Sequence, residues 1–135
     1  MQDKISFVLT SCGRTDLLDP TLDSFFKFNS YKIEKLFLVE DSVDHDVYEH
    51  IKEKWDNRLE LIFNKKKKGQ IQSIVDTYNL IKTPYIFHCE DDWVYTRENF
   101  IEDSLKILQT DDKIIQVWLE SKESASRLDI FEYGP

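Results

Sequence analysis

Three consecutive carboxylates, Glu90, Asp91 and Asp92, directly follow the apolar run YIFHC at residues 85–89. In an extended chain, side chains two residues apart point the same way, so Glu90 and Asp92 would face one site. Such a pair suits a hard divalent cation, Mn²⁺ or Mg²⁺, which prefers oxygen ligands. By spacing alone, a solvated acidic turn explains the triplet about equally well. Thr96 is predicted to cap the next helix, so the triplet is not needed as a cap, which favours a ligand.

Polar residues also follow the other apolar runs of the chain. Arg14 suits bidentate pairing with a phosphate, or is simply solvated. Asp41 suits hydrogen bonds from a base or a ribose, or serves as a turn former at the end of a strand. The lysines at 65–68 form either a solvated loop or a positive patch that faces an anionic ligand. His88, inside an apolar run, is predicted to be a core histidine. The residues after the first run are Thr10, Ser11, Cys12, Gly13 and Arg14.

Short β-rich apolar runs alternate with amphipathic helical stripes along the chain. The predicted strands cover 5–10, 35–41, 59–63, 85–89 and 114–120, and the predicted helices cover 17–28, 44–55, 69–82 and 96–109. This pattern predicts a Rossmann-like α/β fold, a mostly parallel sheet with helices on both faces, in one domain spanning 1–135. The carboxyl ends of parallel strands share one edge, where ligands bind in such sheets. The polar residues described above should gather at that edge.

Composition excludes several classes of protein. The chain has 135 residues and a net charge of −8, from 18 basic and 26 acidic side chains. That balance argues against nucleic-acid binding, which needs a basic face. No apolar run is long enough to cross a membrane and the N-terminus lacks the features of a signal peptide, so we expect a cytoplasmic protein. Cys12 and Cys89 are expected to be reduced and half-buried. The three glycines form neither a dinucleotide fingerprint nor a P-loop.

The motifs together resemble the nucleotide-binding half of a GT-A glycosyltransferase, most like family 2. The resemblance rests on FVLTSCGRTDLLDPTLDSFF, on LFLVEDS and on GQIQSIVDTYNLIKTPYIFHCEDDW, and it covers about residues 5–108. It implies metal-dependent transfer of a sugar from a nucleotide-diphosphate donor to an unknown acceptor. The nucleotide of that donor would be uridine, guanosine, cytidine or deoxythymidine diphosphate.

The resemblance also implies roles for individual residues. Asp41 would contact the nucleotide, and Asp92 would bind the Mn²⁺ or Mg²⁺ that bridges the donor diphosphate. Glu90 or Asp91 would lie at the ribose or at the metal. The residues implied in binding the nucleotide sugar are Thr10, Ser11, Gly13, Arg14, Asp41, Lys68, Gly69, Glu90 and Asp91, and those implied in binding the metal are Asp92 and Glu90.

The chain departs from the family pattern in three respects, one of which is a longer loop with extra lysines between Asn64 and Gly69. Ser73-Ile74-Val75 stands where the family usually has a small-Arg-Asn triplet. Family members also continue well past this length, into a segment that builds the acceptor site and supplies the general base. Glu120 and Glu123 are the nearby candidates for that base. One alternative is therefore a compact or truncated module, non-catalytic or completed by a partner chain or a second copy. A receiver-like domain, the other alternative, wants an acid pair after the first strand, where Thr10-Ser11-Cys12 stands.

Overall fold

The computed structural model describes residues 2–120, which divide into two compact units, residues 2–99 and a second beginning at Phe100. In the first unit, strands alternate with helices, and the second unit contributes one helix. The elements are β1 (Ile5–Ser11), α1 (Thr15–Phe28), β2 (Lys35–Glu40), α2 (His45–Trp55), β3 (Glu60–Phe63), α3 (Gln70–Tyr78), β4 (Tyr85–Glu90) and, in the second unit, α4 (Phe100–Leu108).

The four strands form one parallel sheet in the order β3-β2-β1-β4. The chain moves from β1 outward to β2 and β3 and then returns, through α3, to the other side of β1. Right-handed crossovers therefore place α3 on the face opposite α1 and α2. The predicted Rossmann-like α/β fold is confirmed. Because the strand order reverses beside β1, the crevice between the carboxyl ends of β1 and β4 is the switch point where ligands bind in such sheets.

The central strand β1 is buried along its whole length, as expected for a strand of a parallel sheet that is covered on both faces. Phe7 on β1 packs against Phe25 of α1 and Phe87 of β4, with ring centroids 4.5 and 6.0 Å apart. The registers align the strand ends, so that Thr10 stands beside both Val39 and Glu90. The apolar core thus fixes the level at which the polar ends of β1, β2 and β4 emerge.

Two predicted elements differ from the structure. The run IIQVWLE at 114–120 is not a strand, and Ile115 and Trp118 within it are 91% and 69% exposed. Thr96 does not cap α4, because that helix begins only at Phe100, after Asn99 at φ 64°. Apolar β-rich composition describes a fit to a half-buried pleated surface, and a strand forms only where a partner supplies that surface.

Two further predictions concern membrane-spanning helices and the number of domains. Within residues 2–120, no helix combines the length and the apolar character of a membrane span. The prediction of one domain over 1–135 stays a prediction, since it includes residues beyond the described range.

Candidate functional site

A polar pocket of about 220 Å³ opens at the carboxyl ends of the strands, at the predicted edge of the sheet. Seven of the nine residues predicted to bind the nucleotide sugar lie in its lining, whereas Gly13 and Lys68 do not. Asp92, predicted as a metal ligand, is also not part of the lining. Four lining residues were not predicted as site residues. The lining consists of Thr10, Ser11, Cys12, Arg14, Asp41, Lys67, Gly69, Gln70, Ser73, Glu90 and Asp91.

The turn after β1 is anchored by Glu40, a fully buried carboxylate at the end of β2. Glu40 accepts hydrogen bonds from the Ser11 hydroxyl at 2.8 Å, from the Gly13 N–H at 3.0 Å and from the Ser42 N–H at 2.8 Å. Gly13 adopts φ 78°, in the left-handed region that favours glycine. Gly13 therefore shapes the turn that carries Cys12 and the other residues after β1 to the pocket.

Asp41 closes the loop that leads into α3. Its carboxylate accepts from the Asn64 amide and the Lys68 N–H, both at 2.8 Å, and from the Gly69 N–H at 2.9 Å. Gly69, at φ 84°, precedes the first residue of α3. The Lys68 ammonium points elsewhere, to the Asp76 carboxylate at 2.9 Å. Lys67, rather than the predicted Lys68, is the lysine whose side chain reaches the pocket lining.

The pKa of Asp41 reflects these contacts. Burial by itself raises the pKa of this carboxyl, but the hydrogen bonds from Lys68, Asn64 and Gly69 outweigh burial and hold the pKa below its ordinary value. Asp41 is therefore ionised at neutral pH. Its negative charge is met mainly by backbone N–H groups of the loop that it closes.

A pH prediction follows from the depressed pKa of Asp41. A group whose pKa is lower in the folded state stabilises the fold above its unfolded pKa of about 3.9, and this stability is lost as the pH falls through the folded value. We expect Asp41→Asn to unfold more easily than the natural chain at pH 7, by about 1–3 kcal/mol, because the Gly69 N–H would face an amide. The two melting curves should converge below about pH 3. Melting temperatures from pH 2.5 to 7 measure this, with the exposed Asp112→Asn as control; a constant difference across that range would contradict it.

Arg14 and Asp91 form a bidentate pair across the switch point. The Arg14 Nε donates to Asp91 at 3.1 Å, and an Nη2 hydrogen bond completes the fork. The Asp91 side chain is only 4% exposed, and the Thr21 hydroxyl donates to the Asp91 carbonyl at 3.0 Å. Hydrogen bonding to Asp91, together with its charge, raises the pKa of Arg14. The Arg14 side chain is 51% exposed and its guanidinium is paired with Asp91, so its predicted role toward a phosphate stays a prediction.

The carboxylate triplet is not extended. β4 ends at Glu90, and Asp91 and Asp92 lie in a turn, so the alternation that would align Glu90 with Asp92 stops one residue too early. The Asp92 side chain is 49% exposed and lies 4.0 Å from the Arg14 guanidinium. The premise that Glu90 and Asp92 point together because the chain is extended was wrong. Their role as metal ligands stays a prediction.

Glu90 belongs to a second set of contacts, between β4 and α3. The Gln70 amide donates to both of its oxygens, at 3.2 and 3.1 Å, and His88 Nε2 lies 3.1 Å from Oε1. The Tyr78 hydroxyl lies 3.2 Å from His88 Nδ1. His88 was predicted to be a core histidine, but it is half-buried and linked to a residue of the pocket lining. Only the position of Gln70 directly after Gly69 could have suggested its place at the site.

The hydroxyl of Thr10 marks the pocket as a place for a ligand. The Thr10 hydroxyl is buried in the lining and has no hydrogen-bond partner among the described residues. Such a group is costly unless something binds it.

Cys12 is exposed in the lining, and Cys89 is fully buried, so the prediction that both are half-buried was wrong. Burial raises the pKa of the Cys89 thiol to about 12.

The structure describes only some of the residues that were predicted to act as the general base or to bind a metal. Glu120 is exposed in the second unit, in a stretch with neither helix nor strand, and Glu123 lies outside the described residues. Across residues 2–120, no group of three or more His, Cys, Asp or Glu side chains is arranged to hold a metal ion.

Comparison with known proteins bears on the fold. No protein-family model matches the chain, and no curated protein matches it significantly. Among solved structures it is similar to the crystal structure of S. aureus TarS, a glycosyltransferase, with a TM-score of 0.58 and 12% sequence identity. The match covers 79% of this chain and 20% of that chain, so this chain spans about a fifth of the length of that structure. At this identity, the likeness shows a shared fold.

Proposed function

We propose that this chain binds a nucleotide-diphosphate sugar and serves as the donor-binding part of a glycosyltransferase. The observation that carries the proposal is the polar pocket at the switch point of a parallel sheet, with the unpartnered Thr10 hydroxyl in its lining. The shared fold with a glycosyltransferase supports the same reading. The hydroxyl, carboxylate and cationic side chains of its lining suit a polar ligand such as a nucleotide.

The charges of the pocket favour a cation for an anionic donor. Its lining carries three carboxylates, on Asp41, Glu90 and Asp91, against two cations, on Arg14 and Lys67. A diphosphate added to this excess of negative charge needs a further positive charge nearby. A bound Mn²⁺ or Mg²⁺ would supply that charge and would stabilise the departing diphosphate.

The carboxylates near the pocket differ in how far they are available to such a cation. The Asp91 carboxylate is committed to Arg14, and Glu90 accepts from Gln70 and His88. Asp92 keeps a half-exposed carboxylate whose ion pair with Arg14 is long, at 4.0 Å. Mg²⁺ is commonly bound by one or two carboxylates together with substrate phosphates and waters. We therefore assign the metal to Asp92, with the remaining ligands from the donor.

The residues of the pocket would bind and orient the donor. The Thr10 hydroxyl, buried beside β4, would take a hydrogen bond from or to the base. Asp41, already fixed by three donors, would present a rigid acceptor to the same group. Arg14 would hold Asp91 and the turn in place, with the Asp92 carboxylate 4.0 Å from its guanidinium.

A binding module without turnover is the second candidate function. It is favoured by the fact that the chain spans about a fifth of the length of the glycosyltransferase structure that it resembles. Such a module would need a partner chain, a second copy or a further segment to supply the acceptor site and a base. The two candidates share the donor pocket and differ only in turnover.

A thermal-shift panel tests the donor site. We expect one of the UDP-, GDP-, CDP- or dTDP-sugars, with Mn²⁺ or Mg²⁺, to stabilise the chain by about 2.7 kcal/mol at a hundred times its dissociation constant. EDTA and Asp92→Asn should abolish most of this shift, whereas the control Asp112→Asn, an exposed carboxylate in the second unit, should leave it intact. No shift with any donor, or a shift indifferent to EDTA and to Asp92→Asn, would overturn the metal-bridged site. Release of nucleoside diphosphate in the same samples separates an enzyme from a binding module.

A further inference from the structure

The helix α3 turns its apolar side chains outward. Its buried positions are Ser73 and Thr77, on the side that contacts β1 and β2. Ile71, Val75 and Tyr78 are 80%, 46% and 37% exposed. Their spacing of i, i+4 and i+7 puts them on one side of the helix, in an apolar stripe about 10 Å long. A helix that packs on a sheet normally buries such a stripe, so this one is available to a partner.

Two further apolar side chains extend the exposed surface beyond the stripe. Leu80, two residues after Tyr78, is 53% exposed, and Ile86 on β4 is 38% exposed. Ile86 points to the same face of the sheet as His88, because side chains alternate along a strand. The Tyr78 hydroxyl lies 3.2 Å from His88 Nδ1, so that face is the one that α3 covers. Single exposed apolar residues are ordinary, but several together mark an interaction surface.

Lysines precede and follow the stripe in the chain. The crossover from β3 to β4, residues 64–84, contains five lysines and one acid, in a chain whose net charge is −8. That acid, Asp76, already pairs with one of these lysines at 2.9 Å. Lys65 and Lys66 before α3 and Lys82 after it are exposed, and they form no ion pair within residues 2–120. The crossover is therefore a basic segment of an acidic protein.

The combination of an apolar stripe and lysines at both ends of its helix indicates the chemistry of the partner. An anionic lipid surface offers an apolar phase at the boundary between headgroups and acyl chains, and negative charge in the headgroups themselves. A nucleic acid offers the charge without the apolar phase. A second copy of this chain, docked through the same surface by a two-fold axis, would bring the lysines of both copies together, and like charges repel.

We propose that the outer side of α3 docks on the surface of an anionic lipid bilayer. The stripe would enter the headgroup boundary, and the lysines at the two ends of α3 would contact the headgroups. With nine residues, α3 would lie on the membrane, since a spanning helix needs about 20. The inference is independent of the proposed function, because the stripe and these lysines lie outside the lining of the donor pocket.

Cosedimentation with vesicles measures docking directly. The two probes are vesicles of phosphatidylcholine alone and vesicles in which about one third of the lipid is phosphatidylserine. We expect the partition coefficient of the natural chain to be at least about tenfold larger for the anionic vesicles. This ratio should shrink at high salt, which screens exposed charges. Failure to bind either kind of vesicle, or equal binding to both, would overturn the proposal.

A pair of double variants tests the stripe. Ile71→Ser with Val75→Ser should lower the partition coefficient for anionic vesicles about tenfold, because two apolar side chains no longer enter the boundary. The matched control is Val43→Ser with Ile115→Ser, since Val43 and Ile115 are 45% and 91% exposed and lie outside α3. The control should bind as the natural chain does. Melting temperatures of both variants check that each is folded.

A second pair of variants tests the lysines and leaves the stripe intact. Lys66→Gln with Lys82→Gln should weaken binding to anionic vesicles about tenfold or more, since each lysine at such a surface contributes about fivefold. Binding to neutral vesicles should not change. Lys27→Gln with Lys52→Gln has the same total charge but replaces exposed lysines of α1 and α2, so it should keep the full preference for anionic vesicles.

The remaining outcomes identify a different occupant or a different surface. If sedimentation equilibrium shows a dimer that Ile71→Ser with Val75→Ser makes monomeric, the stripe is an interface between copies and lipid docking is overturned. If both α3 variants bind anionic vesicles as the natural chain does, docking uses another surface and the proposal is equally overturned. Failure of every nucleotide to bind would remove the proposed function and leave this inference standing.

Discussion

Glu40→Ala should lower the free energy of unfolding by about 3–5 kcal/mol, a larger loss than any other single replacement in the first unit that we predict. The fully buried Glu40 carboxylate accepts from the Ser11 hydroxyl and from the N–H groups of Gly13 and Ser42. Alanine would leave these three donors without their acceptor, and the Ser11 residue among them is buried. Each orphaned donor costs about 1–3 kcal/mol, partly offset where the turn relaxes.

Urea denaturation at pH 7 measures this loss of stability, and two further variants serve as comparisons. Glu60→Ala is the matched control, because the Glu60 side chain is 57% exposed and lies 3.8 Å from Lys35 in a surface ion pair. Its free energy of unfolding should change by less than about 0.5 kcal/mol. Glu40→Gln keeps one carbonyl acceptor, so its free energy of unfolding should lie between those of Glu40→Ala and Glu60→Ala. A loss below about 1 kcal/mol for Glu40→Ala would show that the turn after β1 does not depend on this carboxylate.

Glu40 also shows where the sequence stops being informative. The run LFLVED predicted a buried strand ending in acids, and both the strand and the edge were confirmed. Glu40 and Asp41 are both buried, however, and Glu40 is anchored by the N–H of Gly13, 27 residues away in the chain. Local pattern cannot supply that partner. The resemblance directed attention to Asp41, and the equally committed Glu40 next to it was missed as a site residue.

The same limit explains the other differences at the site. The Arg14–Asp91 pair joins residues 77 apart, so no local signal separates it from a solvated arginine. Among four consecutive lysines, closure of the loop onto Asp41 turns Lys68 toward Asp76 and Lys67 toward the pocket. Composition and periodicity cannot show which lysine of such a run faces the pocket. Pattern predicts which edge of the sheet carries the chemistry, and long-range contacts decide which side chains remain available for it.

The thiol of Cys12 should react with iodoacetamide at pH 8 at least about a thousand times faster than that of Cys89. Cys12 is exposed in the lining of the pocket, whereas Cys89 is fully buried. Burial raises the pKa of Cys89 to about 12, so only about one thiol in ten thousand is ionised at pH 8, and the thiolate is the nucleophile. Mass spectrometry of tryptic peptides follows the two sites separately.

This difference in reactivity makes Cys12 a reporter of where a nucleotide binds. A donor in the pocket should cover Cys12 and slow its alkylation about tenfold at saturation, whereas the rate at Cys89 should stay negligible. Cys12→Ser should remove the fast reaction, and Cys89→Ser should leave it unchanged. EDTA should restore the fast rate if the donor is held through a metal. A nucleotide that raises the melting temperature but leaves the Cys12 rate unchanged would bind outside this pocket, and that result would refute the site without replacing any residue in it.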